Sequence, residues 1–151
     1  MNLLKERGLY DQCGQVPSRY STDEELNLCH PQKYIDDLRS LEKKTIAELE
    51  EMSINMNSVY YNKKTFECAT LSTGSLLSVV DAVCTKKFTN GVAVIRPPGH
   101  HANSGCCSGF CFFNSVAVAS KYAQKNYKSM KKILILDFDV HHGNGTQDLY
   151  N

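Results

Sequence analysis

Ile133-Leu134-Ile135-Leu136-Asp137-Phe138-Asp139-Val140-His141-His142-Gly143-Asn144-Gly145 is the stretch that decides the fold class of this 151-residue chain. A short, β-branched apolar run follows Lys131-Lys132 and is closed by two glycines, which predicts a buried parallel strand whose C-terminal end opens into a loop. In extended geometry residues two apart share a face, so Asp137, Asp139 and His141 point the same way. Carboxylate oxygens and an imidazole nitrogen converging at a strand's end suit a catalytic metal. Taken alone, the stretch also reads as a strand with a solvated, turn-forming tail.

A second segment, Gly91-Val92-Ala93-Val94-Ile95-Arg96-Pro97-Pro98-Gly99-His100-His101, narrows the choice. Val92 to Ile95 predicts another buried strand, and Pro97-Pro98 must end it because neither proline donates a ladder hydrogen bond. His100 and His101 are then delivered on a loop at a strand terminus. Between the two strands, Asn114-Ser115-Val116-Ala117-Val118-Ala119-Ser120-Lys121-Tyr122-Ala123 predicts a helix with Asn114 or Ser115 as N-cap. Strand, helix, strand is a βαβ unit with a right-handed crossover, which sets both strand ends on one sheet edge and brings the histidine pair toward the Asp/His cluster.

Paired histidines beside a metal have a chemical use. One accepts a proton while the other, charged, stabilises developing negative charge. Each needs an acceptor on its far nitrogen, and Asp137 and Asn144 are the candidates.

Three blocks carry a family resemblance: Arg96-Pro97-Pro98-Gly99-His100-His101, Gly109-Phe110-Cys111-Phe112-Phe113-Asn114 and Asp137 through Gln147. They resemble the signature blocks of zinc-dependent histone deacetylases of class II, most like class IIb catalytic domains. The resemblance runs from about Gly8 to the C-terminus. It implies an α/β fold of the arginase/deacetylase type, a parallel sheet flanked by helices, with residues 1–151 forming the N-terminal half of one catalytic domain. It also implies hydrolysis of N-ε-acetyl-lysine in proteins, in which a metal-activated water attacks the acetyl carbonyl and a histidine dyad acts as general base and acid.

Carried over by position, Asp139 and His141 match two Zn2+ ligands, and His100 and His101 match the dyad. Asp137 is the carboxylate partner of His100, and Asn144 stands where many class I members have an aspartate. Phe110 matches an aromatic wall of the acetyl-lysine tunnel, Gly109 the carbonyl that receives the substrate N–H, and Ser58 a rim serine that contacts substrate backbone. Read without the resemblance, Ser58 is an ordinary turn residue. The family also binds K+ beside the zinc, at positions matching Asp137, Asp139 and the His141 carbonyl. A catalytic zinc takes three protein ligands; the family's third ligand, its oxyanion tyrosine and its second tunnel phenylalanine match nothing before Asn151. The sequence therefore reads as a fragment, with activity expected of the complete protein.

Composition is consistent with this picture. A net charge of +1 leaves no nucleic-acid footprint, so contact with chromatin would run through acetylated protein substrates such as histone tails, with tubulin another candidate, or through corepressor-type proteins. Residues Met1 to Tyr20 lack an apolar leader core and no run approaches membrane-spanning length, which predicts an intracellular protein, nuclear or cytoplasmic. Seven cysteines, an odd count without framework spacing, suit a reducing compartment. Cys106-Cys107 and Cys111 read as packing or loop residues, with Cys111 expected near the tunnel and open to oxidation.

The remainder reads as scaffold. Ser21-Thr22-Asp23-Glu24-Glu25 predicts a capped short helix through Cys29, Pro31 opens another with Tyr34, Ile35, Leu38 and Leu41 on one stripe, and Thr45 caps a third through Met52. A longer helix is predicted from Thr65 to Thr85, with Gly74 inside it marking close packing. His30 lies far from both motifs and reads as structural. Two further function classes stay open: an acetylpolyamine-type amidohydrolase on the same fold, and a non-catalytic interaction protein.

Overall fold

Capped helices organise the chain in the computed structural model, which describes residues 2–151. After α1 (Asn2–Glu6), α2 (Asp23–Leu26) opens on a capping box: the Thr22 hydroxyl accepts the Glu25 N–H and the Glu25 carboxylate accepts the Thr22 N–H. The same carboxylate receives both guanidinium arms of Arg19, at 2.7 and 2.8 Å. This helix ends three residues before the predicted Cys29.

Helix α3 (Gln32–Ser40) takes Pro31 as its N-cap and buries Tyr34, Ile35 and Leu38; Leu41 continues the stripe in a following 3-10 turn. Helix α4 (Ile46–Ile54) is capped by Thr45 through a second box with Glu48, and Glu48, Glu50 and Glu51 face solvent as their charge predicts. Helices α5 (Thr65–Cys84) and α6 (Ser115–Asn126) pack on each other and form the centre. Leu77, Ala117 and Val118 are fully buried at their contact, where Thr73 Oγ1 meets Ser115 Oγ at 3.0 Å.

Gly74 sits where a Cβ would lie 2.4 Å from Arg19 O and Ser21 N, so the close packing expected of it is a backbone crossing. By length and composition α5 is apolar enough to cross a membrane, which corrects the sequence expectation that no run approaches that length. Here it is a core helix. Its buried Ser72 and Thr73 hydroxyls are hydrogen-bonded to Pro97 O and Ser115.

Of the predicted strand–helix–strand order the helix, α6, forms, while residues 91–95 and 131–139 carry no regular secondary structure. No parallel sheet forms among the described residues, where the β pairing is an isolated antiparallel bridge between Ser108 and Cys111. Val92, Leu134 and Leu136, expected to be buried in these strands, are 79%, 89% and 77% exposed. The physical reason is that a ladder needs a neighbour about 4.8 Å away. Apolar composition states what a segment can bury without stating what lies beside it.

Candidate active site

The dyad is delivered by a tightly held turn. After Pro97-Pro98, the Ala102 N–H donates to Gly99 O at 3.1 Å and closes the turn that carries His100 and His101. The Thr146 N–H donates to His100 O at 3.1 Å, and the Asn114 carboxamide donates to Ala102 O at 3.1 Å. Asn144 opens a short helix, α7 (Asn144–Asp148), in a region that the sequence reading left as loop.

The two rings lie side by side, with centroids 4.1 Å apart and planes tilted by 48°. His100 Nδ1 is 2.7 Å from Asp137 Oδ2, and His101 Nδ1 is 2.7 Å from Asn144 Oδ1. An acceptor at each Nδ1 sets the proton there and leaves each Nε2 free to exchange one. The hydrogen bond from His100, followed by the Asp139 N–H, holds the Asp137 carboxyl below the usual carboxylate range. The pairs differ in charge: His100 faces a carboxylate and His101 a neutral amide.

The predicted alternation along the final segment holds. The Asp137 carboxylate accepts the Asp139 N–H at 3.0 Å, and the Asp139 carboxylate accepts the His141 N–H at 2.8 Å. These local bonds turn Asp137, Asp139 and His141 to one side, while Phe138 and Val140 are 92% and 94% exposed on the other. The His141 backbone and ring N–H also hold the Asp139 carboxyl low. Asp139 Oδ1 and His141 Nδ1 are 3.1 Å apart. Two donors on a tetrahedral zinc lie about 3.3 Å apart, so this pair fits one edge of such a site. Among the described residues no three His, Cys, Asp or Glu side chains gather as a complete ligand set. The His141 ring stands 5.9 Å from that of His101, which joins the candidate metal edge to the dyad.

Gly109, Phe110 and Ser58 are brought together although about fifty residues separate the two segments. The Gly109 N–H donates to Asn57 O and the Phe110 N–H to Ser58 O, both at 2.9 Å. Ser58 (φ 52°), Gly109 (φ 51°) and Phe110 (φ 66°) are all left-handed, a conformation with a steric cost for the two non-glycine residues that the paired bonds offset. A Cβ on Gly109 would lie 2.3 Å from His101 Cδ2, so only glycine lets the backbone approach the ring. Phe110 is 58% exposed and presents an open aromatic face.

Cys111 lies beside the dyad turn, its Sγ accepting the His101 backbone N–H at 3.5 Å. The expectation that it is open to oxidation is corrected: it is fully buried, and burial pushes its thiol pKa up, away from the reactive thiolate. Cys107 is buried against the Tyr61 hydroxyl at 3.0 Å. Sequence reasoning sets His30 apart from the site and gives Asn114 a place in a family block and as a helix cap, with no link to the dyad. Both reach the dyad loop through contacts across 74 and 12 residues, a separation that no local pattern signals.

Against known proteins, the family model described as "Histone deacetylase domain" matches residues 1–151. Polyamine deacetylase HDAC10 of Danio rerio is 41% identical over 95% of this chain and 21% of its own length. Histone deacetylase 6 of Caenorhabditis elegans is 42% identical over 99% of the chain and 16% of its own length. Among solved structures, the HD domain of HDA15 superposes with a TM-score of 0.83 at 32% identity, covering 97% of this chain and 40% of that one. The chain thus spans about a fifth of the length of the curated relatives it matches. On these matches and on the geometry of the histidine pair, the chain belongs to the histone deacetylase family, with class IIb members among its relatives.

Proposed function

We propose that this chain supplies the proton-transfer dyad and two of the zinc ligands of a deacetylase that hydrolyses N-ε-acetyl-lysine in proteins. The observation that carries the proposal is the side-by-side pair His100–Asp137 and His101–Asn144, with the Asp139–His141 edge next to it. Asp139 and His141 would hold the ion. A zinc ion supplies Lewis acidity toward an amide carbonyl and brings the pKa of water toward about 7.

The remaining steps belong to the chain's own side chains. His101, opposite a neutral amide, takes a proton at Nε2 and later returns it to the departing amine. His100, opposite the ionised Asp137, carries positive charge and stabilises the developing oxyanion. Phe110 flanks the acyl-lysine stem, the Gly109 carbonyl accepts its N–H, and Ser58 contacts the backbone of an acetylated protein such as a histone tail. A potassium ion beside Asp137 and Asp139 would fix these carboxylates further.

A second reading, hydrolysis of acetylated polyamines, is favoured by the relatives named polyamine deacetylases at about 40% identity. The deciding experiment assays the whole protein that carries this chain against acetyl-lysine peptides and N-acetylated polyamines, before and after zinc removal. Zinc-restored cleavage of the peptides, lost in His101→Ala, is expected. Preferred cleavage of polyamines transfers the assignment to the second reading, and full turnover without metal overturns both.

A further inference from the structure

We infer that His30 is a positioning residue for the histidine dyad, acting as a neutral imidazole through Asn114; the inference rests on the deacetylase reading above. His30 is 1% exposed and lies outside every block that carries the family resemblance. Its Nδ1 is 3.0 Å from Ser104 O, and its Nε2 accepts the Asn114 backbone N–H at 3.0 Å. One ring nitrogen must donate and the other accept, so both bonds form only in the neutral Nδ1–H tautomer. A second proton would set N–H against N–H at Asn114.

The rings of Tyr34 and Phe113 enclose it, with centroids 5.6 and 5.2 Å away. The titratable or charged neighbours acting on it are Tyr34 by contact and Lys121 by its field. Burial is the main influence and pushes the imidazole pKa down to about 4.

What His30 fixes is the junction behind the dyad. Asn114 is fully buried; its Nδ2 donates to Ala102 O at 3.1 Å and to Thr146 Oγ1 at 3.0 Å, while its Oδ1 caps α6 at Ala117. Thr146 in turn donates its N–H to His100 O. Asn114 therefore ties the His100–Ala102 turn to α7, and α7 begins with Asn144, the acceptor for His101. His30 holds Asn114 from behind and Ser104 further along the dyad loop. Orientation thus passes from His30 to Asn114, then to the turn and α7 together, and so to the bond that sets the His101 tautomer.

Two substitutions divide the two bonds. His30→Gln can place its amide oxygen where Nε2 lies and keeps the Asn114 contact; His30→Asn can place its amide nitrogen where Nδ1 lies and keeps only the Ser104 contact. The readout is the long-range 1H–15N pattern of the histidine rings in 15N-histidine-labelled protein, with zinc binding measured in the same samples. Expected are an Nδ1–H pattern for His30 itself, a single-tautomer pattern for His101 retained in His30→Gln, and its loss toward averaged nitrogen shifts in His30→Asn. Thr146→Val, which cuts the Asn114 link to α7, must reproduce that averaging and decides the matter should His30→Asn fail to fold. An unchanged His101 pattern in His30→Asn or in Thr146→Val overturns the inference, as does equal disturbance by Gln and Asn. Failure of the wild-type protein to bind zinc sinks the deacetylase reading and leaves the tautomer result to stand or fall separately.

Discussion

Acid should destabilise this protein in a window that one histidine sets. His30 is buried, and its pKa falls from 6.5 to about 4 on folding. Between these values the unfolded chain binds a proton that the native state refuses, so stability rises with pH there: it is complete above the unfolded pKa and lost as pH falls from 6.5 toward 4. At 1.36 kcal/mol for each pH step, going from about pH 7.5 to about pH 4.5 removes on the order of 2–3 kcal/mol through this one group. Asp23, Glu25 and Asp137, whose carboxyls are held low in the fold, also lose stabilisation as pH falls from their ordinary carboxylate range toward their lowered values, but equally in wild type and variant. Urea unfolding of wild type and His30→Gln at both pH values isolates the histidine. The wild type should lose on the order of 2–3 kcal/mol more than the variant. Parallel losses would refute the claim that His30 is held neutral by burial.

Other outcomes follow from named contacts. Gly109→Ala puts a methyl group against the His101 ring in a left-handed backbone, and should cost about 1–2 kcal/mol from the backbone alone and displace His101, read by unfolding and by ring nitrogen shifts. Leu77→Ala at the fully buried contact of α5 and α6 should lower stability by about 2–5 kcal/mol in the same unfolding assay. Asn144→Asp sets a carboxylate 2.7 Å from His101 Nδ1 and should strengthen that hydrogen bond, read as a downfield move of the His101 Nδ1 proton in the NMR spectrum. The exposed residues Leu134, Leu136 and Phe138 should make the chain self-associate with rising concentration. Leu136→Lys should reduce light scattering, and no change would show that this edge is not the contact.

Local chemistry made much of this molecule legible in its sequence. Thr22 with Glu25 and Thr45 with Glu48 announce helix starts by side-chain reach alone, and the structure forms both boxes. The period of two in Asp137, Asp139 and His141 survives because each carboxylate bonds the N–H two residues on. The sheet was not readable in the same way: the β-branched runs at Val92 and Ile133 form no strand and stay largely uncovered, because pairing depends on a neighbour rather than on the run itself. Helix α7 escaped because Gly143 and Gly145 read as breakers, whereas Gly145 is buried where a Cβ would meet Ala102 O at 2.4 Å. His30 escaped for a related reason, since its partners at Ser104 and Asn114 are set by folding and leave no spacing in the chain.

The two backbone bonds from Gly109 and Phe110 to Asn57 and Ser58 have a mechanical consequence. They splice the connection between α4 and α5 onto the strip that bears the open phenyl ring, so the two shift as one piece. Changes of length or sequence in residues 55–62 would then widen or narrow the approach to the imidazoles while leaving every proton-handling group in place. Diversification of what enters could proceed from that connection, at a distance from the chemistry it serves.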